Sequence, residues 1–421
     1  MAATANTVPT AKVLVLGNYR QTITVIRSLA RAGHPIVVGR CGARSSTELS
    51  RYTSEVWAHP DPADEERFVQ AVLEVLDARS DIRYVFPVSE VEIRPLASRH
   101  AELAARAVVV QPAPPALDVC LDKARTCAVA AELGVPLPAT RILTGATAVD
   151  AAAADLGFPL VVKRPDSILI AGGRKALICR DRRDLEDQRD ALARERGTLL
   201  LQSWVPGLRH NCQFAARQGE IVAFFQQKVL RTDERDGTGL TVDGVSVPPA
   251  PALRSHCEAL VRRLSYTGVG CIQFLVAEPS GVAALLEWNP RLDANCDLPY
   301  RCGFDFPLLA LRLAEAQGAA APARLRVPAS YPLGKKIYWP EGDLKALGRR
   351  LRDGDIGAAE ISRRAVRMLA SPLRRECRLG WSWSDPLPTM FMGWRAAGRL
   401  LRRARPRARA AARARMTGVT S

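Results

Sequence analysis

The chain is poor in the residue patterns that build metal clusters and disulfide frameworks. Its 421 residues include 10 cysteines and 5 histidines. The cysteines are scattered without a Cys-x-x-Cys pair, and no histidines stand at metal-ligand spacing. This pattern argues against a zinc site and against a disulfide-stapled scaffold. We therefore expect reduced, mostly buried thiols, as in a cytoplasmic protein.

Long apolar runs are also missing. No uncharged apolar stretch approaches the roughly 20 residues that a helix needs to span a bilayer. The N-terminus shows no basic region followed by an apolar segment, so a signal peptide is not expected. Lysine is scarce, with eight among 60 basic residues, yet the net charge is +17. Because the chain is so rich in arginine and alanine, part of this excess is as readily a compositional bias as a ligand signal.

Strands and helices alternate through the first hundred residues. Residues 1–11 are small and polar, which predicts a disordered lead-in. From 12 to 112, buried-type strands alternate with amphipathic helices, which predicts a parallel sheet with right-handed crossovers. The first strand-to-helix turn lacks Gly-x-Gly-x-x-Gly, which disfavours a dinucleotide site. Ligands of such sheets lie at the carboxyl ends of the strands, so Arg20, Arg40 and Glu90 are either substrate contacts or plain surface charges.

The stretch 268–295 predicts two antiparallel strands around a tight turn at 279–281, where Pro-Ser-Gly suits a three-residue hairpin loop. Counting back from that turn places Gln273 opposite Glu287, and Asn289 projects from the same face as Glu287. A carboxylate and two amides suit Mg²⁺, which takes its other ligands from water and phosphates. Singly, each residue is as readily structural. Their joint placement favours a metal–phosphate site.

This hairpin resembles the end of the ATP-grasp fold, through Gln-Phe-Leu followed by Leu-Glu-Trp-Asn-Pro-Arg. That superfamily comprises carboxylate–amine and carboxylate–thiol ligases, carbamoyl-phosphate synthetase and biotin carboxylase. Gln at the first ligand position is similar to the carbamoyl-phosphate synthetase branch, and the overall pattern to the predicted carboxylate–amine ligases. The resemblance covers about 12–318. It implies an α/β protein, with a Rossmann-like pre-ATP-grasp domain at 12–112 and a two-lobed α+β ATP-grasp domain at 117–318, hinged near 202–207.

The resemblance implies catalytic and metal-binding roles for several residues. Arg291 would stabilise the transferring phosphoryl group, Asn295 would bind a substrate or phosphate oxygen, and Lys228 would lie toward the phosphates or the acyl substrate, as would Arg231. The implied metal ligands, for Mg²⁺ with Mn²⁺ as an alternative, are the three oxygen donors of the hairpin: Gln273, Glu287 and Asn289.

The implied nucleotide site draws on the first lobe and the hinge. Lys123, on a helix predicted over 117–133, and Lys163, on a strand, would contact the phosphates. An unpaired ammonium is costly to bury, so Lys163 should face an anion or a carboxylate. The loop that contains Gly172 and Gly173 would cover the phosphates, or it is a plain hairpin turn. The remaining implied contacts, from that loop, the purine pocket and the hinge, are Gly172, Gly173, Val161, Leu275, Gln202, Ser203 and Val205.

The C-terminal part carries an unusual charge. A second boundary near 319 separates an extension at 319–388 from an Arg-rich tail at 389–421, and the region is expected to be largely helical. Residues 395–421 contain nine arginines and no acid, and they follow several Met, Phe and Trp residues. This pattern fits a basic amphipathic helix on a membrane surface, an RNA- or DNA-binding tail, or a disordered basic tail.

Together these features predict a cytoplasmic ATP-dependent carboxylate–amine ligase that forms an amide through an acyl phosphate, with ADP and phosphate as products. Its partners would be a small carboxylate and an amine, and a homodimer is left open. Bicarbonate is an alternative carboxylate, although no biotin-attachment Met-Lys-Met is present. The alternative from another class is an ATP-binding protein without ligase turnover, docked to membrane or nucleic acid by its basic tail.

Overall fold

The computed structural model describes residues 11–144, 148–166, 176–193, 197–278, 280–317, 325, 327–374 and 377–398. Three sheets organise this part of the chain: one parallel sheet of five strands, one antiparallel sheet of four, and one mostly antiparallel sheet of seven. The protein is therefore a mixed α/β protein. In the described ranges no helix has both the length and the apolarity to cross a bilayer.

The N-terminal unit is a parallel sheet in the order β3-β2-β1-β4-β5. Its first strands are apolar runs because helices cover both faces. All five strands run the same way, so their carboxyl ends share one edge. The elements are β1 (Lys12–Leu16), α1 (Thr22–Arg31), β2 (Ile36–Arg40), β3 (Thr53–Ala58), α2 (Glu65–Ala78), β4 (Ile82–Pro87), α3 (Glu90–Ser98), α4 (His100–Ala104) and β5 (Val108–Val109).

The next unit is a small lobe around an antiparallel sheet in the order β6-β9-β7-β8. Its elements are α5 (Pro114–Cys120), α6 (Lys123–Glu132), β6 (Thr140–Thr144), α7 (Val149–Leu156), β7 (Leu160–Lys163), β8 (Leu177–Cys179), α8 (Arg182–Asp187), α9 (Arg189–Ala193) and β9 (Thr198–Ser203). The single helix predicted over 117–133 is wrong. The chain breaks because the Asp122 carboxylate accepts the N–H groups of Ala124 and Arg125 and starts a new helix.

The seven-stranded sheet has the order β14-β13-β10-β11-β12-β15-β16. Its last two strands come from beyond the predicted boundary at 319, so the extension and the preceding segment share one sheet. The elements are β10 (Leu208–Arg217), β11 (Glu220–Thr232), β12 (Thr241–Ser246), α10 (Pro251–Arg263), β13 (Gly268–Val276), β14 (Ala283–Asn289), α11 (Asp297–Arg301), α12 (Phe306–Gln317), β15 (Lys336–Tyr338), α13 (Pro340–Arg352), α14 (Ala358–Ala370) and β16 (Cys377–Arg378).

One hydrophobic core joins the parallel sheet to the seven-stranded sheet. Val13 and Val88 from the first belong to the same buried cluster as Phe225 and Leu292 from the second. Helices α1 and α12 pack against each other within it. This shared core holds the carboxyl edge of the parallel sheet beside the end of β14, where the candidate site lies.

A buried ion pair fastens the C-terminal part to α1. Arg27 Nε donates to Asp385 Oδ2 at 2.9 Å, and both side chains are at most 4% exposed. Asp385 also accepts from the hydroxyl of Ser50 and the backbone N–H of Arg51. Arg27 gives its other donors to the carbonyls of Gly380 and Asp385. Every polar group of this cluster therefore has a partner, as a buried charge pair requires.

Candidate functional site

The predicted pairing of Gln273 with Glu287 is confirmed, but the register nearer the turn differs by one residue, with Val276 opposite Ala283. A β-bulge between Gln273 and Phe274 offsets this difference. Gln273 on β13 lies directly opposite Glu287 on β14, and Asn289 Nδ2 donates to Glu287 Oε1 at 3.0 Å. Gln273 and Asn289 are buried, and the Gln273 side-chain oxygen is buried with no hydrogen-bond partner. A buried carboxamide oxygen without a partner costs free energy, so it is suited to a ligand. One carboxylate and two amides therefore share one face of this sheet.

We call Gln273, Glu287 and Asn289 the row. Arg291 connects this row to the parallel sheet. Its guanidinium donates to Asn289 Oδ1 at 2.9 Å and to Glu90 Oε1 at 3.2 Å. Glu90 begins α3 at the carboxyl edge of the parallel sheet. The second Glu90 oxygen and the Arg291 Nε are buried without a hydrogen-bond partner. The guanidinium also donates to the Leu292 carbonyl at 3.2 Å, so three acceptors hold it, while its Nε donor has no partner among the described residues.

Two lysines from the small lobe stand beside this row. Lys163, at the end of β7, is buried, and its Nζ donates to the Leu286 carbonyl at 3.4 Å. Lys123, the first residue of α6, donates through Nζ to the Asp166 carbonyl at 3.1 Å. Burial and the neighbouring Lys123 lower the pKa of the Lys163 ammonium to about 8, against the charge of Glu287, which raises it. Lys163 thus lies close to the Glu287 carboxylate and to a second cation, Lys123, an arrangement that an anion would stabilise.

The predicted hinge residues lie at the end of β9. Gln202 is buried, lies opposite Val161 of β7, and donates to Thr140 Oγ1 at 2.9 Å. The Ser203 N–H donates to the Ala139 carbonyl at 2.9 Å, so its N–H is already committed within the protein. Val205, Val161 and Leu275 are half-buried. Their adenine-binding roles stay predictions, and the N–H of Ser203 is not available for one.

Asn295 and two residues that the sequence did not single out form a buried polar cluster. The Asp293 carboxylate accepts from Asn295 Nδ2 at 3.1 Å and from Asn211 Nδ2 at 3.0 Å. Asn211 on β10 lies directly opposite Gln273 on β13, so the row continues onto the neighbouring strand. Its side-chain oxygen is buried without a partner. The alternation of apolar and polar residues around Asn211 predicts a strand. Together with the position of Gln273, this signal could have identified Asn211 as a site residue.

Other predicted contacts are not brought to this row. Lys228 lies opposite His210, one residue out of the row that contains Gln273, and its ammonium pairs with Glu278 at the hairpin tip. Arg231 is paired with the carboxylates of Asp243 and Asp343. Its expected position toward the phosphates or the acyl substrate stays a prediction. Among the described residues, both cations are therefore paired with acids that lie outside this row. The Lys228 role stays a prediction, and Gly172 and Gly173 lie outside the described residues.

The three charged residues predicted at the edge of the parallel sheet, Arg20, Arg40 and Glu90, have different surroundings. Glu90 meets Arg291, as described above. Arg40 is paired with Glu48 at 3.4 Å. Arg20 stacks over Trp339 at 4.0 Å from the ring centre, and burial lowers the pKa of its guanidinium to about 10. Arg20 and Glu90 therefore lie at the junction of the sheets, whereas Arg40 has a local partner.

Tyr19 and Glu92 form a further pair at this edge. The Tyr19 hydroxyl donates to Glu92 Oε1 at 3.2 Å, and Glu92 is 4% exposed. Burial raises the pKa of Glu92 to about 7. Ser89-Glu90-Val91-Glu92 also has the pattern of a capping box at the start of α3. A neutral carboxyl is therefore favoured in the folded protein at and below neutral pH.

We expect the Glu92→Gln protein to gain stability relative to the wild type as the pH rises. In the unfolded chain the Glu92 pKa is near its ordinary value of about 4.3, so ionisation in the folded state costs stability between about pH 4 and pH 7. Gln keeps the capping geometry and cannot ionise. The difference in unfolding free energy should grow by about 2 kcal/mol from pH 5 to pH 8, measured by urea denaturation. The exposed Glu66→Gln change is the control, and an equal shift in both proteins would contradict the assignment.

The fold and the site define a class of protein. It is an α/β protein in which a lysine of the small lobe lies beside one carboxylate and two amides on an adjoining sheet. Residues 122–320 match the family described as "Carbamoyl-phosphate synthase L chain, ATP binding domain". This match covers just under half of the chain and confirms the predicted resemblance of the segment to the ATP-grasp superfamily. A carbamoyl phosphate synthase large chain from Gemmatimonas aurantiaca is 26% identical over 218 residues, which is 50% of this chain and 20% of that protein.

Solved structures show the same fold. Biotin carboxylase from Campylobacter jejuni, in complex with β,γ-ATP, superposes with a TM-score of 0.60 at 18% identity, covering 78% of this chain and 75% of that one. An L-amino acid ligase from Bacillus licheniformis gives 0.58 at 13% identity, covering 72% and 74%. At these identities the likeness establishes the fold. The chain spans well under half the length of the curated relatives that it matches, 39% of one and 20% of another.

Proposed function

We propose that this protein is a cytoplasmic ATP-dependent ligase that joins a small carboxylate to an amine through an acyl phosphate. The observation that carries the proposal is the convergence of Glu287, Asn289 and Gln273 with Lys163 and Arg291 on one sheet face. Phosphoryl transfer needs positioning and charge stabilisation more than a covalent enzyme group. The family match and the shared fold support ATP as the phosphoryl donor.

The oxygen donors of the row fit a magnesium ion. In the described part of the chain, no group of three or more His, Cys, Asp or Glu residues could hold a metal. Mg²⁺ does not need one, because it binds through one or two carboxylates and completes its shell with waters and phosphates. Gln273, Glu287 and Asn289 would hold it, and Mn²⁺ has compatible ligand preferences. When bound, Mg-ATP supplies the γ-phosphoryl group.

The residues of this chain would bind and orient the reactants. Lys163 and Lys123 would neutralise the phosphate chain from the small-lobe side. Gln202, with Val161 and Leu275, would receive the purine. The partnerless Nε donor of Arg291, a group fixed by Asn289 and Glu90, would stabilise charge on the transferring phosphoryl group and the acyl phosphate. Fixed anchors matter because a donor that is already oriented costs no reorganisation during the reaction.

The acceptor side would lie at the carboxyl edge of the parallel sheet. Glu90 reaches Arg291 from this edge, where Glu92, two residues later on α3, accepts the Tyr19 hydroxyl. Ligands of parallel α/β sheets bind at this edge. A substrate carboxylate placed against Arg291 would therefore meet the phosphates on one side and the loops of the N-terminal sheet on the other. These loops would set the specificity.

The test is ADP release from Mg-ATP with pooled carboxylates and amines, followed by mass spectrometry of the products. We expect a signal that needs both an acid and an amine and that yields an amide. ADP release that needs bicarbonate alone would favour carboxylase-like chemistry instead, which the biotin carboxylase likeness makes the second candidate. Tight Mg-ATP binding without turnover in either mixture would favour the alternative of an ATP-binding protein without ligase activity.

Nucleotide affinity is expected to fall as the Lys163 ammonium loses its proton. The pKa of this group is about 8 in the protein without nucleotide, so it is charged below pH 8 and neutral above. If the charge holds the phosphates, the affinity for Mg-ATP should drop about tenfold between pH 7 and pH 9. Calorimetric titration at each pH measures this. Lys163→Arg keeps its charge throughout and should show a flatter profile, whereas equal slopes in both proteins would contradict the role.

A further inference from the structure

A solvent-facing apolar stripe runs along the helical stretch 387–398. Leu387, Met390 and Trp394 are 55%, 56% and 71% exposed, and their spacing of three and four residues places them on one helix face. Such a face normally packs on the core of a globular protein. Here the buried Thr389, which donates to the Gly380 carbonyl at 2.6 Å, holds the helix to the protein from another side.

A second stripe with the same spacing lies on α14 and the 3₁₀ turn that follows it. Val366, Leu369 and Leu373 are all highly exposed. The other side of α14 is held by ion pairs, Arg364 to Asp343 and Arg367 to Asp243. The helix is therefore fixed with its apolar side chains outward. Two apolar stripes at neighbouring points of the chain exceed the scattered exposed residues of an ordinary surface.

A cationic cleft of about 640 Å³ adjoins both stripes. Its wall includes Ser371 and Pro372, next to Leu373, and Trp381 and Trp383, shortly before Leu387. Seven arginines and lysines and one carboxylate, Asp297, line it. Three of these cations are paired with acids: Arg27 with Asp385, Arg301 with Asp297, and Arg378 with Glu341. Within the described residues, Lys335 and Lys336, which also line the cleft, form no ion pair. The cleft thus offers positive charge at the same place where the chain exposes apolar and aromatic groups.

We propose that this surface, formed by the two stripes and the cleft, docks the protein onto an anionic lipid bilayer. Trp and aliphatic side chains on one helix face insert at the level of the headgroups, while arginine and lysine attract acidic lipids. The sequence adds further positive charge next to this surface, since residues 395–421 contain nine arginines and no acid. The surface would hold the protein on the bilayer peripherally.

Two other occupants fit the observations less well. A nucleic acid would use the cations and could stack on Trp383 and Trp394, but exposed Leu, Val and Met side chains add nothing to phosphate or base recognition. A second copy of the chain would bring its own cleft and its own nine arginines to the same contact. Like charges would then oppose the pairing. A bilayer satisfies the charges and the apolar groups together.

The test is co-sedimentation of the full-length protein with vesicles. We expect binding to phosphatidylcholine vesicles that contain phosphatidylglycerol, and at least tenfold weaker binding to phosphatidylcholine alone. The Leu387→Gln, Met390→Gln, Trp394→Gln protein should lose at least tenfold in partitioning with its charge unchanged. Leu387→Met, Met390→Leu, Trp394→Leu keeps the face apolar and should retain binding.

The matched control changes three exposed apolar residues that belong to neither stripe nor to the cleft: Ile142→Gln, Leu230→Gln and Val282→Gln. This protein should bind vesicles like the wild type. Equal binding to both kinds of vesicle, or loss in the control as large as in the triple-Gln protein, would overturn the proposal. So would tighter retention of an RNA or DNA oligonucleotide that survives the triple-Gln change, or self-association, seen by light scattering, that the change removes without any vesicle binding.

Discussion

Replacing Arg291 or Glu287 with alanine should reduce ADP formation at least a hundredfold while the protein remains folded. Arg291 offers a fixed donor beside the row, and removing one preorganised donor for developing charge costs about two to three orders of magnitude in rate. Glu287 is the carboxylate of the row, and its loss removes the negative charge among the oxygen donors that would hold Mg²⁺. The measurement is the rate of ADP release under the conditions that give wild-type turnover.

Two further proteins make this result specific. Glu287→Gln keeps the size and an oxygen ligand, so it should retain more activity at raised Mg²⁺ than Glu287→Ala. Arg254→Ala removes an exposed arginine whose nearest acid is Glu258 on the same helix, and it should leave the rate unchanged. Thermal unfolding of each protein separates lost chemistry from lost fold. Full turnover in both alanine variants would remove the basis for the ligase assignment.

The Asp385→Ala change should lower the free energy of unfolding by about 3–5 kcal/mol. Asp385 is the carboxylate partner of the buried Arg27, and its loss leaves a guanidinium uncompensated inside the protein. The hydroxyl of Ser50 and the N–H of Arg51 lose their acceptor as well. Chemical denaturation at neutral pH gives the measurement, with the midpoint and the slope read together.

The exposed ion pair between Arg254 and Glu258 provides the comparison. Glu258→Ala should change the stability by no more than about 0.5 kcal/mol, because water screens exposed pairs. Combining Asp385→Ala with Arg27→Met should recover part of the loss, since the second change removes the stranded charge. A loss for Asp385→Ala no larger than that for Glu258→Ala would show that the cluster does not fasten the C-terminal part.

The local geometry of the candidate row followed from the sequence. A period of two along each strand and a tight turn predicted Gln273 opposite Glu287, and that pairing is present. The turn itself closes one residue earlier than predicted, between Ala277 and Val282, and a bulge between Gln273 and Phe274 restores the pairing. The position of Arg291 relative to Glu90 was beyond this reasoning. These two residues come from different sheets, and only the shared core brings them together.

The features that the sequence did not predict correctly, or could not predict, also have physical causes. Helical periodicity runs through 117–133, and the break at Asp122 depends on whether its carboxylate caps the next turn or points to solvent. The ion pair between Arg231 and Asp343 could not be predicted, because the two residues lie more than a hundred positions apart in the sequence. A strand as short as β15 carries no periodic signal, so its pairing with β12 could not be predicted.

That three-residue pairing bears on any attempt to shorten the protein. Asp243, Gly244 and Val245 of β12 lie against β15, and the Trp339 N–H adds a bond to the Val242 carbonyl at 2.8 Å. A fragment ending near 318 would leave β12 as an open edge, with backbone groups ready to pair with another molecule. Such a fragment should precipitate or form sheet-linked aggregates, so the ATP-grasp segment is best produced with residues 336–339 retained.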